Sequence, residues 1–343
     1  MADTRPTVWV SQPLIDAAIA PLRDRVQLRS TVTAWSPEQI AEQLASADGA
    51  IITLNERIGA AQLADAAQLQ VIANVGVGYN NLDVDALSAA GILASNTPDV
   101  LTETTADLGF ALLMATARRI TESERWLREG QWGQWSFQTM LGADIHGSTL
   151  GILGMGRIGQ GIARRGAHGF GMKVLYHNRS RLPADTEAAV GASYVDLDTL
   201  LAQADHLITV LPYSPSSHHI IDAAALAKMK STATLVNIAR GGIVDELALA
   251  DALANGRLAA AGLDVYEGEP TVRPELLALR NVVLTPHIGS ASLATRTAMV
   301  QLAVDNLLAG LGLDGAPSRM PSAINADAAI AARVTLGKKT GKR

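Results

Sequence analysis

The chain has no cysteine among its 343 residues. Disulfides, thiolate metal sites, iron–sulfur clusters and a cysteine nucleophile are thereby excluded. Positive charge is not in excess: 28 Lys and Arg stand against 33 Asp and Glu, a net charge of −5. No global basic field is present to attract nucleic acid. The one basic cluster, Lys338, Lys339, Lys342 and Arg343, reads as a frayed solvated tail. Long apolar runs are missing as well. The longest stretch without Asp, Glu, Lys or Arg, residues 66–82, contains Gln, Asn and Gly and cannot span a bilayer. The opening MADTRPTVWVSQP carries Asp3 and Arg5 and only a short apolar run, so no signal peptide is expected. A soluble, cytoplasmic protein with no membrane partner is expected.

What is present is an ordinary globular mixture, 48% apolar and 18% charged. At roughly 150 residues per domain, the length predicts two domains. The first hundred residues alternate β-like runs (7–11, 26–29, 50–54, 71–75 and 92–95) with helix-period stretches (13–22, 37–45, 60–66 and 84–90). Such alternation predicts a doubly wound parallel sheet with right-handed crossovers. A long helix is expected over 102–128, with Leu108, Leu112, Ala115 and Ile120 on its buried face and Gly130 as its stop. A second alternating series follows, with strands at 149–153, 173–177, 206–211, 234–238, 260–264 and 282–285. Six strands in this pattern complete a dinucleotide-binding sheet. A helix over 293–309 comes next. If it packs back on the first domain, that domain is discontinuous. The Gly-, Pro- and Ala-rich segment beyond Gly312 carries no predicted fold.

Between the strand at 149–153 and the following helix stands Gly154-Met155-Gly156-Arg157-Ile158-Gly159. This is G-x-G-x-x-G in its required context. Gly154 permits the tight turn, Gly156 lets the backbone approach a pyrophosphate, and Gly159 lets the helix pack on the strand. Arg157 and Ile158 would supply backbone N–H groups to the phosphates. The adenosine end of such a cofactor is read about 20 residues on, where an NAD-preferring chain usually has Asp or Glu. Here the sequence is His177-Asn178-Arg179-Ser180-Arg181, with Asn178 19 residues after Gly159. A neutral Asn followed by Arg179, Ser180 and Arg181 suits a 2′-phosphate. NADP(H) is the expected cofactor, with NAD(H) admitted as a second.

The chain resembles the D-isomer-specific 2-hydroxyacid dehydrogenases over about residues 5–325. The segments that carry the likeness are NVGVGYNNLD (74–83), ETTADLGFALLM (103–114), GILGMGRIGQ (151–160), LPYSP (211–215), NIARGGIVDE (237–246), GLDVYEGEP (262–270) and TPHIGSA (285–291). Its nearest subgroup is the glyoxylate/hydroxypyruvate reductases, on the HNRS loop and the Trp132-Gly-Gln-Trp135 segment. The resemblance implies an α/β fold with two doubly wound parallel-sheet domains: a Rossmann NAD(P)-binding domain inserted in a flavodoxin-like substrate domain. The implied boundaries are 1–100 and 290–325 for the substrate domain, 101–289 for the cofactor domain, and 326–343 for a tail.

Reducing a 2-oxo acid needs a hydride donor, a cation for the carboxylate and an acid for the carbonyl oxygen. Arg240 follows a strand at the carboxyl end of the sheet, where α/β sites lie, and offers a planar donor fork. His287 follows the last strand and is the natural proton donor near neutrality. Glu269, 29 residues after Arg240 and 18 before His287, would orient the ring. Glu267 is the alternative carboxylate, and the likeness favours the one directly before Pro270. The resemblance further implies cofactor roles for Thr105, Leu211, Pro212, Ala239, Asp264 and Gly289, with Asp264 accepting from the carboxamide. On the substrate side, the turn after residues 71–75 could hold a carboxylate through backbone N–H groups. The likeness assigns that role to Val75 and Gly76, and Leu54 is expected at the same cleft between the domains. It also implies a homodimer in which Trp135 reaches the partner's substrate site. His218 and His219 read as surface or cofactor-loop residues, and no metal is expected.

The expected activity is NAD(P)H-dependent reduction of glyoxylate or hydroxypyruvate to the D-2-hydroxy acid. Two rivals stand beside it: a member of the same family acting on a bulkier 2-oxo acid, and a non-enzymatic, cofactor-sensing corepressor of the same fold.

Overall fold

A computed structural model describes residues 3–30, 35–314 and 319–337. The terminal basic cluster lies outside them. The chain forms two compact units, one from the segments up to Leu101 and from Ala291 onward, the other from Thr102–Ser290.

The first unit holds β1 (Thr7–Val10), β2 (Gln27–Ser30), β3 (Gly49–Ile52), β4 (Val71–Asn74) and β5 (Leu93–Ser95). They pair in parallel in the order β2-β1-β3-β4-β5, the flavodoxin-like order. The central strands β3 and β4 are buried on both faces, which is why they read as continuous apolar runs. Trp9, Leu44, Ile52, Ile72 and Leu87 form one face of the core. Helix Pro37–Ala45 starts on a capping box between Ser36 and Gln39.

The helix Leu293–Gly310 returns to this unit. It packs so closely on the sheet that a Cβ on Gly310 would lie 2.6 Å from Val71 Cγ2. A second return helix, Ala326–Thr335, corrects the expectation of a tail there. Its Arg333 is buried and donates from Nε to Gly91 O at 2.6 Å. The segment was obscure in sequence because a buried Arg satisfied by carbonyls leaves no apolar stripe.

The second unit holds β6 (Thr149–Leu153), β7 (Lys173–His177), β8 (Ala192–Tyr194), β9 (His206–Thr209), β10 (Thr234–Asn237), β11 (Ala260–Leu263) and β12 (Val282–Leu284). The order β12-β11-β10-β9-β6-β7-β8 is a doubly wound Rossmann sheet with one strand added at its far edge. The expected six strands become seven. The added edge strand is β12, whereas the one not expected from sequence is β8, which has three residues and pairs only with β7.

The expected single helix over 102–128 is two helices, Thr102–Ala117 and Ile120–Arg128. Arg119 takes φ 53° at the break, and its guanidinium binds both oxygens of Glu122 at 2.9 Å. The first helix is a core element: Gly109 lies so near β10 that a Cβ there would sit 2.7 Å from Ile238 Cδ1. Its buried face is Thr105, Ala106, Gly109, Phe110, Leu112, Leu113, Thr116 and Ala117, whereas Ile120, beyond the break, is exposed.

No helix among the described residues is long and apolar enough to cross a membrane.

Candidate active site and cofactor turn

Apart from Trp135, the predicted site residues of the second unit lie at or beyond a strand's carboxyl end, or on a helix facing one. The glycine turn leaves β6 with Gly154 at φ +103°, a conformation that side chains rarely adopt. A Cβ there would sit 2.7 Å from Leu211 N, the chain leaving β9. A Cβ on Gly159 would meet Gly154 O at 2.3 Å, so the helix Arg157–Arg164 can start only over a glycine. Around Gly156 nothing lies within 4 Å of a built Cβ, which leaves room for a bulky anion. The first helical bond is Gln160 N to Gly156 O, so the N–H groups of the first turn precede it. Two features therefore fit a pyrophosphate: open space over Gly156 and a helix start that offers donors.

The loop after β7 is held from several sides. Asn178 Oδ1 accepts from Met155 N at 2.7 Å, tying the loop to the glycine turn. An N–H requires an acceptor, so this bond fixes the amide with its oxygen on Met155. The Nδ2 donor is left without a partner among the described residues. Arg179 and Ser180 are exposed and also have none. Arg181 differs: it binds both oxygens of Glu187, at 2.9 and 2.8 Å. Arg181, expected in the cofactor-binding set as a source of field beside Arg179 and Ser180, has its charge already engaged by this bidentate pair.

The acid–base pair stands beyond β11 and β12. His287 takes φ +51°, an uncommon conformation outside glycine that is frequent at functional sites. Its N–H donates to Asp264 O at 2.9 Å. Its Nδ1 lies 2.8 Å from Glu269 Oε2, and Nε2 has no partner among the described residues. The second oxygen, Oε1, accepts from Tyr266 N at 2.9 Å. Burial pushes the Glu269 carboxyl up, but His287, the Tyr266 N–H and the Arg240 field outweigh it and hold the carboxyl below its usual range.

Arg240 follows β10. Asn237 shapes the turn that carries it, accepting from Ala239 N at 3.0 Å and donating to Arg240 O at 2.9 Å. Burial draws the Arg240 guanidinium below its ordinary value, and Glu269 offsets part of that. Gly241 is required because a Cβ there would fall 2.0 Å from Tyr266 C. The Arg240 and Glu269 turns are thus pressed together backbone to backbone.

Asp264 is already engaged. It accepts from Thr285 Oγ1 at 2.7 Å, Ile288 N at 2.8 Å and Gly289 N at 2.8 Å. Its carboxylate therefore shapes the 285–289 turn that presents His287. Thr105 Cγ2 lies 3.3 Å from where a Gly289 Cβ would be, so Thr105 and Gly289 adjoin. Ala239 is buried, Leu211 half-buried and Pro212 exposed. Glu267, two residues before Glu269, belongs to another set: it pairs with His219 and, at 2.8 Å, with Arg273. The His218 and His219 rings stack at 3.8 Å. Among the described residues no three His, Cys, Asp or Glu side chains could hold a metal.

In the first unit, Leu54 is exposed beyond β3. The N–H groups of Val75 and Gly76 already donate, to Ile52 O at 2.8 Å and Asn74 O at 3.0 Å. The expected anion-holding groups are corrected on that ground: those without a partner among the described residues are the N–H groups of Val77 and Gly78. Trp135 is 67% exposed, on a stretch without helix or strand, with its ring 4.8 Å from that of Phe137.

Asn237 and Tyr266 were missed as individual residues, although both lie inside segments quoted for the resemblance. Tyr176 and Glu187 left no local signal, since they meet only after the crossover from β7.

The family model for the D-isomer specific 2-hydroxyacid dehydrogenase NAD-binding domain matches residues 110–289. The chain belongs to that family. This dehydrogenase is 42% identical over 315 residues to a glyoxylate reductase of Thermococcus onnurineus, covering 89% of this chain and 92% of that one. It is 43% identical over 311 residues to glyoxylate/hydroxypyruvate reductase B of Klebsiella pneumoniae, covering 90% and 95%. Among solved structures it resembles an NADPH-dependent glyoxylate/hydroxypyruvate reductase of Sinorhizobium meliloti, determined with NADP and malonate. That likeness has a TM-score of 0.82 and 33% identity over 94% of this chain and 98% of that one. The chain is an oxidoreductase with a nicotinamide-nucleotide domain.

Proposed function

We propose that this dehydrogenase reduces glyoxylate and hydroxypyruvate, taking NADPH in preference to NADH. The reaction class, a small 2-oxo acid to its D-2-hydroxy acid, is that of the family. The observation that carries the reading is the His287–Glu269 pair at 2.8 Å with Nε2 left over. A ring fixed at Nδ1 by a carboxylate is suited to deliver a proton from Nε2.

When bound, the nicotinamide supplies the hydride. His287 Nε2 protonates the carbonyl oxygen, and Glu269 steadies the imidazolium before transfer. Arg240 binds the substrate carboxylate and polarises the carbonyl, its buried charge acting with little screening by solvent. The first turn of the helix Arg157–Arg164 receives the pyrophosphate. Thr105, Leu211, Pro212, Ala239 and Gly289 border the nucleotide. In the first unit, Leu54 and the turn from Val75 to Gly78 are the proposed substrate-side groups.

Preference for NADPH is supported by the donor set after β7. Asn178 Nδ2, Arg179 and Ser180 are all donors, and a phosphate only accepts at this pH. A ribose 2′-hydroxyl would seek the carboxylate that an aspartate provides, and residues 178–181 contain none.

We also propose a homodimer in which Trp135 approaches the partner's substrate site. The exposed Trp132, Trp135, Phe137 and Leu141 support it as an apolar run on one loop.

The experiment is steady-state reduction of a panel of 2-oxo acids with each nucleotide. Highest kcat/KM for glyoxylate or hydroxypyruvate with NADPH supports the reading. Turnover only with bulky 2-oxo acids, or none at all, contradicts it.

A further inference from the structure

The loop that follows β7 carries two arginines two residues apart. Position after Asn178 favours Arg179 as the phosphate contact, and the structure gives Arg181 a partner of its own. The loop is tied at its first residue, where Asn178 Oδ1 holds Met155 N. It is tied again at its far end. Glu187, on the helix Ala184–Val190, is almost fully buried and binds Arg181 through both oxygens. The same Glu187 Oε1 accepts from the Tyr176 hydroxyl at 2.7 Å. That hydroxyl in turn accepts from the backbone N–H of Leu182 at 2.8 Å. Tyr176 is a wholly buried residue of β7. Burial, and then the Glu187 carboxylate, push its phenol up to about 12, so it remains a donor to that carboxylate.

The far end of the loop is therefore fastened twice, through the Arg181 side chain and through the Leu182 main chain. Both fastenings converge on Tyr176 and Glu187. Between the two ties stand Arg179 and Ser180, exposed and without partners among the described residues.

We propose that Tyr176, Glu187 and Arg181 form a clasp that presents Arg179 and Ser180 to the 2′-phosphate of NADPH, with Arg181 acting as strap and not as phosphate ligand. The proposal rests on the NADPH preference proposed above. Its physical basis is pre-organisation: a loop already ordered loses less entropy when the phosphate arrives. The three are positioning residues, since none of them touches the cofactor in this account. A bidentate arginine–carboxylate pair whose acid is buried also holds geometry better than two exposed charges.

The alternative, Arg181 as a second ligand restrained by Glu187, predicts the opposite sign in one variant. Releasing Arg181 by Glu187→Gln would then strengthen NADPH binding. The clasp predicts that Glu187→Gln weakens it. The test is equilibrium titration of NADPH and of NADH by nicotinamide fluorescence, with no substrate present. It is done on wild type, Glu187→Gln, Arg181→Met, Tyr176→Phe and the Glu187→Gln/Arg181→Met double variant.

The expected result is a loss of about three- to tenfold in NADPH affinity in each single variant, with NADH affinity changed less than twofold. The double variant should be no worse than the poorer single, because the pair acts as one unit. Arg181→Met lies on the surface and keeps the test open if a change at buried Glu187 unfolds the domain. A rise in NADPH affinity in Glu187→Gln overturns the clasp. So does unchanged affinity in Arg181→Met while wild type prefers NADPH, which leaves the preference itself standing. Equal wild-type affinity for the two nucleotides overturns the NADPH reading and the clasp with it.

Discussion

His287 Nδ1 sits 2.8 Å from Glu269 Oε2, and the backbone of the same histidine is held by Asp264 O at φ +51°. One ring nitrogen is thus committed to a carboxylate, and the other has no partner among the described residues. An imidazole arranged in this way is poised to hand over a proton in one direction. The uncommon backbone conformation is held by Asp264, whose three accepted hydrogen bonds organise the whole 285–289 turn.

Glu269→Gln keeps the shape of the side chain and removes its charge. The expected outcome is a fall in kcat of about 10- to 100-fold with the KM for NADPH nearly unchanged, no more than the roughly 10²–10⁴-fold that a positioned acid itself contributes. The neutral amide no longer balances the charge on the ring it holds at Nδ1. Steady-state kcat and KM for wild type and variant check this. An unchanged kcat would contradict the role given to Glu269.

The same carboxyl has a consequence for stability. Its folded value is lowered, so its contribution is complete above the unfolded value, about 4.3 for Glu, and is lost as pH falls through the lower folded value. The difference in Tm between wild type and Glu269→Gln should therefore be largest near neutrality and shrink below about pH 4. Thermal unfolding across pH measures it, and a difference that widens on acidification would contradict the sign.

Arg179→Ala removes the unpaired cation of the cofactor loop. The expected outcome is a drop of at least about tenfold in the NADPH-to-NADH ratio of kcat/KM, roughly 1.4 kcal/mol. A charge-assisted hydrogen bond supplies about 1.5–3 kcal/mol, so one contact suffices. Measured ratios in wild type and variant decide it, and an unchanged ratio would show that Arg179 does not read the phosphate.

Trp135→Ala tests the exposed loop that follows the helix Ile120–Arg128. The expected outcome is a weaker dimer, with more monomer in sedimentation at micromolar concentration, and a raised KM for the 2-oxo acid. A wild-type chain that sediments as a monomer would contradict the dimer.

Much of this was legible from residue order alone. Eleven of the twelve strands among the described residues begin and end within two residues of their predicted bounds, because buried parallel strands read as short apolar runs between turn residues. The 206–211 run extends two residues past its strand, and β8 was too short to leave a run at all. The glycine turn was readable because each glycine answers a separate steric demand. The pairing of His287 with Glu269 was expected from their segments and spacing, and the two side chains meet at 2.8 Å.

What escaped depends on contacts between distant residues. The helix break at Arg119 has no proline or glycine to announce it. The N–H groups of Val75 and Gly76 look free in sequence and are already used by Ile52 and Asn74. The engagement of Arg181 depends on Glu187, which the next helix delivers.

The most direct test of the central claim is single-turnover hydride transfer from NADPH to glyoxylate, followed by nicotinamide absorbance in wild type and His287→Ala. The account predicts that the variant binds NADPH with nearly wild-type affinity and transfers hydride about 10²- to 10⁴-fold more slowly. Transfer at the wild-type rate in His287→Ala would contradict it.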